Sequence, residues 1–166
     1  MAQLTRFRFV IVVTLAVAAP ALAVLAAAQT APAAVPPAAP RPILDNGEMM
    51  DIFFKPAYGE LQEAMAKPLA DRKAWATIYQ KAVRLAEMEN LLFFRTRNED
   101  TTKPEWAATA ARAREAAADL AAAALLGLRN VRPEDYDAVR AKYPTVAETC
   151  NGCHRTFARE APTVKP

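Results

Sequence analysis

The chain has no serine, one histidine, two cysteines and four glycines among its 166 residues. Without serine, a serine-based catalytic triad is excluded. Two cysteines and one histidine fall short of the four ligands of a closed structural zinc site, which would have to recruit a carboxylate. β-Branched residues are few beyond the first 25 positions, and alanine is abundant. Alanine gives up no side-chain entropy in a helix, and no segment alternates apolar and polar residues long enough to compete as a strand. The expected fold class is therefore all-α. No cluster of lysine and arginine with interleaved aromatics occurs, so nothing points to nucleic acid as a partner.

The N-terminus has the layout of a secretory signal peptide. Arg6 and Arg8 form a short basic start, and an apolar run from Phe9 to Ala19 follows. Pro20 breaks the run, and small residues then form Ala21-Leu22-Ala23 and Ala26-Ala27-Ala28. Cleavage is expected after Ala28, with Ala23 as the alternative, leaving a periplasmic protein with no membrane span. The whole chain has 21 basic and 18 acidic residues, so removal of Arg6 and Arg8 brings the net charge from +3 to +1. Residues 29–42 (QTAPAAVPPAAPRP) form a Pro/Ala-rich tether expected to stay outside the core. The folded domain is expected over 43–166.

Four helical segments are predicted there. The first runs from about Asp45 to Lys67 and opens with Asp45 and Glu48 as a capping box. Met50, Phe54, Ala57, Leu61 and Ala64 share one face, and Pro56 should kink the rod. The second covers about Ala70 to Phe94 along Trp75, Ile78, Ala82, Leu85 and Leu92, with Glu87 and Glu89 placed on the other faces. The third begins at the capping box Thr102–Glu105, passes Trp106, and stops near Gly127. The fourth runs from Pro133 to about Glu160, interrupted by Pro144, with Thr145 and Glu148 capping a second piece. Short connections between such helices imply an antiparallel four-helix bundle.

The chemistry-bearing motif is Cys150-Asn151-Gly152-Cys153-His154. C-x-x-C-H is the attachment signature for covalent haem. Two thiols three residues apart reach the two vinyl groups of one porphyrin, and the adjacent imidazole is placed beneath the iron. The rival readings are weaker. A thioredoxin-like C-x-x-C expects a βαβ setting. A plain disulfide would close too small a loop to stabilise much, and would leave His154 unexplained. The expected cofactor is one covalent haem c per chain, held by Cys150 and Cys153, with His154 as the proximal iron ligand.

The motif lies 12 residues from the C-terminus, on the last predicted helix. In that position V-A-E-T-C-N-G-C-H-R-T-F at 146–157, A-V-R-L-A-E-M-E-N-L-L at 82–92 and the Trp106 region resemble the class II c-type cytochromes, cytochrome c′ and cytochrome c556. The resemblance covers about residues 43–160. It implies a four-helix bundle with haem near the C-terminus, a non-enzymatic role, and periplasmic redox proteins as partners. Relatives often pair through their first helices, so a homodimer is among the implied assemblies. Gas-binding relatives often carry arginine four residues after the histidine; this chain has Ala158 there and Arg159 one place later.

The resemblance places the distal side of the haem against the first helix. A methionine thioether there gives six-coordinate iron suited to electron transfer. Met50 is the better match to the ligand of c556-type relatives, Met49 is the fallback, and Met65 lies near the helix end. Both early methionines also serve as packing residues in the plainer reading. An open site, or one blocked by Phe53 or Phe54, would instead suit binding of nitric oxide or carbon monoxide. The remaining side chains have bland readings: Trp75 and Trp106 as core or haem-wall aromatics, Tyr58 and Tyr79 at the core edge, and Arg95, Arg97 and Lys103 as a solvated loop.

Overall fold

Asp45 starts the first helix by the expected reciprocal cap. Its Oδ1 accepts the Glu48 backbone N–H at 2.8 Å, and its own N–H donates to Glu48 Oε2 at 2.9 Å. The computed structural model describes residues 41–95 and 99–166. The expected signal peptide, all but the last two tether residues and Arg97 lie outside them.

From Asp45 the chain forms α1 (Asn46–Met49), a π-helical turn (Met50–Phe54) and α2 (Lys55–Met65) as one continuous rod. The π turn is the local consequence of Pro56. Proline lacks the N–H that would reach the Ile52 carbonyl, and its ring crowds that oxygen. The backbone widens just before it, and Lys55 N–H reaches back five residues to the Met50 carbonyl. The expected kink is thus absorbed as one extra residue in a turn. The buried positions follow suit: Met49 and Phe54, five apart, are both in the core, and the pattern then continues through Ala57, Leu61 and Ala64.

Helix α3 (Arg72–Glu89) is capped by Asp71, whose Oδ1 accepts the Ala74 N–H at 2.8 Å. It tightens into a 3-10 turn at Asn90–Phe94, and a second such turn follows at Glu99–Thr102. Helix α4 (Pro104–Asn130) starts with proline in its first turn, but the expected Thr102 cap is not formed: Thr102 belongs to the preceding turn, and the N-cap is Lys103 with no side-chain bond. Nor does α4 stop at Gly127. It continues to Asn130 and ends on Val131, which adopts the left-handed conformation at φ 52°. Gly127 has a different task. It is buried in the helix interior, where the indole of Trp75 lies against its backbone.

Helix α5 (Pro133–Phe157) runs unbroken past Pro144, so Thr145 and Glu148 cap nothing. The four rods α1–α2, α3, α4 and α5 make an all-α four-helix bundle, with no strand among the described residues. Successive rods pack on one another: α2 on α3, α3 on α4, α4 on α5. The core between them is filled by Leu61, Trp75, Ile78, Leu85, Leu120, Val139 and Val146, all fully buried. Full burial of each such aliphatic or aromatic side chain stabilises the fold by roughly 1.5–3 kcal/mol. The buried alanines of α4, among them Ala110, Ala117 and Ala124, keep its inner face flat and let its neighbours approach.

Candidate haem site

The remaining side of the bundle, between the first rod and α5, holds a half-open cavity of about 830 Å³. That is within the usual size of cofactor pockets, roughly 300–1,000 Å³. Every rod contributes to its wall. The first rod supplies Met50, Phe54 and Tyr58, α3 supplies Leu85 and Glu89, α4 supplies Trp106 and Ala110, and α5 supplies Cys150, Cys153, His154 and Phe157. Trp106 is fixed in that wall by its indole N–H, which donates to the Leu92 carbonyl at 2.8 Å, and by Phe157, whose ring meets it edge-on at 5.2 Å.

The two thiols are free and half-buried on the inner side of α5. Burial pushes the Cys150 thiol up to about 12 and Cys153 up to about 11, and the Glu89 carboxylate adds to both. His154 Nδ1 is buried without a hydrogen-bond partner. Among the described residues no cluster of three or more His, Cys, Asp or Glu could hold a bare metal ion. Two thiols and the neighbouring imidazole on the wall of one largely apolar cavity fit a haem and do not fit a bare ion.

The model for the family described as Cytochrome C′ matches residues 49–158. The chain belongs to that family. It is a class II c-type cytochrome, and its cofactor is one covalently bound haem c. Searches of curated proteins and of solved structures gave no match.

Within this cytochrome the structure separates the candidates for the distal side. Met50 lines the cavity at the edge of the core. Met49, at 3% exposure, packs into the hydrophobic core and is not part of the cavity wall. Met65 packs against the core at the far end of the rod. Phe54 is buried and lines the cavity, whereas Phe53 is exposed. Ala158 ends α5 at the cavity wall, and Arg159 is exposed and does not line the cavity.

Three features escaped the sequence reading. Glu89 is not on an outer face. It is 3% exposed and faces the cavity, and burial pushes its carboxyl up to about 8. Its spacing from Ile78, Ala82 and Leu85 continues the buried stripe of α3, which is the signal that would have found it. Arg95 is not in a solvated loop either. It is buried, its Nε donates to Asn46 Oδ1 at 2.8 Å and its Nη2 to the Leu44 carbonyl, so it ties the entry to α1 onto the end of α3. The third is the segment after α5, which turns back across the cavity; its residues carry no apolar period to announce this.

Proposed function

We propose that the protein is a periplasmic electron carrier, with Cys150 and Cys153 as the thioether attachment points, His154 as the proximal ligand and Met50 as the sixth ligand. The observation that carries this reading is the π turn at Met50–Phe54, which gives Met49 to the core and leaves Met50 facing the cavity that His154 also lines. A haem held there by Cys150 and Cys153, with His154 and Met50 as ligands, would supply reversible one-electron exchange, and the thioether would favour its reduced state. The chain's part is to hold and insulate. The apolar walls of Leu85, Trp106 and Phe157 exclude water, and Met50 on a rod clamped by Arg95 has a fixed approach.

Nothing in this arrangement provides a proton-moving distal histidine, so the role is carriage and not catalysis. The partners in this reading are periplasmic redox proteins. The exposed Ile52 and Phe53 on the first rod support a homodimer through that face. The N-terminal sequence supports export, and no described helix is long and apolar enough to cross a membrane.

The second reading is a five-coordinate protein binding nitric oxide or carbon monoxide. It is favoured by Phe54, a buried ring four residues from Met50 on the same wall, which would occlude an open distal site. The reduced optical spectrum of the exported protein decides between them. A low-spin spectrum with a sharp α band, unchanged by carbon monoxide, is expected; a high-spin spectrum that shifts with carbon monoxide would establish the second reading.

A further inference from the structure

Beyond Phe157 the chain leaves α5, makes a tight turn in which Ala161 N–H donates to the Ala158 carbonyl at 2.8 Å, and runs back along the cavity. Ala161 to Lys165 all contribute to its wall. The match to the family ends at Ala158, just before this segment.

Two consecutive residues fix the segment to opposite sides of the cavity. On the α5 side, the Asn151 side chain pairs with Val164 twice: Nδ2 donates to the Val164 carbonyl at 2.9 Å, and Val164 N–H donates to Oδ1 at 2.8 Å. A single amide side chain thereby satisfies both backbone groups of one residue, as a neighbouring strand would. On the α2 side, the Lys165 carbonyl accepts from Tyr58 Oη at 3.0 Å and from Gln62 Nε2 at 3.2 Å. Tyr58 and Gln62 are four residues apart on one helix face, so both reach the same oxygen. Adjacent Cα atoms are only about 3.8 Å apart, so one dipeptide bridges α5 to α2, beside the stacked rings of Tyr58 and Tyr143, whose centroids are 6.1 Å apart.

We propose that Ala158–Pro166 is a strap that covers the side of the cavity between α2 and α5, with Asn151 as its latch, and that it limits how fast small molecules reach the haem from that side. This rests on the cavity being the haem site. The latch sits between the two attachment cysteines, so the turn that holds the cofactor also holds the cover. The cover is held by polar bonds more than by packing: of Ala158–Pro166 only Ala161 and Val164 are half-buried, the rest exposed. A segment with few buried apolar contacts opens locally without unfolding the bundle.

The test uses the full-length holoprotein. Val164→Pro removes the N–H that the latch accepts and leaves the C-x-x-C-H residues untouched. Reduction of the ferric haem by dithionite in stopped flow should accelerate about fivefold or more in this variant, with the reduction potential unchanged, because opening of the strap no longer limits approach. In the parent, the Val164 amide should exchange with deuterium much more slowly than those of exposed residues such as Lys165. If Val164→Pro accumulates without haem, the Tyr58→Phe, Gln62→Ala double variant frees the other end and carries the same expectation. An unchanged reduction rate in a fully loaded variant, or a Val164 amide that exchanges freely in the parent, would overturn the strap. A parent with no thioether-linked haem in its pyridine haemochrome spectrum would instead refute the placement of the haem, so the two failures are distinguishable.

Discussion

The indole of Trp75 on α3 lies so close to Gly127 on α4 that a Cβ at residue 127 would stand 2.1 Å from Cζ3 and 2.5 Å from Cη2. The ring atoms concerned belong to a fully buried side chain, with no free end to swing aside. The glycine is there to let the two helices meet.

Gly127→Ala should therefore destabilise the protein, although alanine is the better helix former by about 1 kcal/mol. Overpacking of a filled core typically costs about 1–3 kcal/mol, and here the clash involves the body of a ring. A lower denaturant midpoint at unchanged haem content is the expected result; a stabilised variant would mean that Trp75 and Gly127 are not in contact.

Glu89 makes stability depend on pH in a direction opposite to that of a salt-bridged carboxylate. Burial raises its folded-state value from 4.5 to about 8. Between those limits the native state holds a proton that the unfolded chain releases, so stability declines as pH rises through that window. The contribution is fully present below the unfolded value and is lost as pH passes the folded one. Glu89→Gln removes the charge at nearly constant shape. Its denaturant midpoint should fall less than the parent's between pH 5 and pH 8, a difference that chemical unfolding at both pH values measures.

Arg95 connects stability to the haem. Its guanidinium joins Asn46 and the Leu44 carbonyl to the end of α3, and the rod it holds carries Met50. Hydrogen bonds made by a charged group contribute about 1.5–3 kcal/mol each. Arg95→Ala should lower the melting temperature and also raise the high-spin fraction of the reduced protein, since α1 is released. Loss of stability with no spectral change would show that α1 does not position the sixth ligand.

Much of this was legible in the sequence for physical reasons that are local. The helical periods of α3 and α4, the Asp45–Glu48 cap and the C-x-x-C-H spacing each need only a few neighbouring residues to be read. What was not legible depends on contacts between distant residues or on backbone departures. Pro56 announces a disturbance, but not that a π turn would absorb it and exchange the places of Met49 and Met50. Gly127 reads as a helix stop until Trp75 is placed against it. Glu89 and Arg95 read as solvated because charge usually is, and only the assembled bundle shows them buried. The strap is invisible because its four bonds link Asn151, Tyr58 and Gln62 to backbone groups more than ten residues away.

In the proposed electron carrier Met50 completes the coordination of the iron, and the pair Met50→Ala and Met49→Ala separates ligation from packing. The measurement is the optical spectrum of each reduced holoprotein before and after carbon monoxide. Met50→Ala should turn high spin and bind carbon monoxide, with a lower reduction potential. Met49→Ala should keep the parent's low-spin spectrum while losing about 2–5 kcal/mol of stability, as truncation of a buried core methionine does. A Met50→Ala protein that keeps the parent's coordination state and stays blind to carbon monoxide would contradict the account.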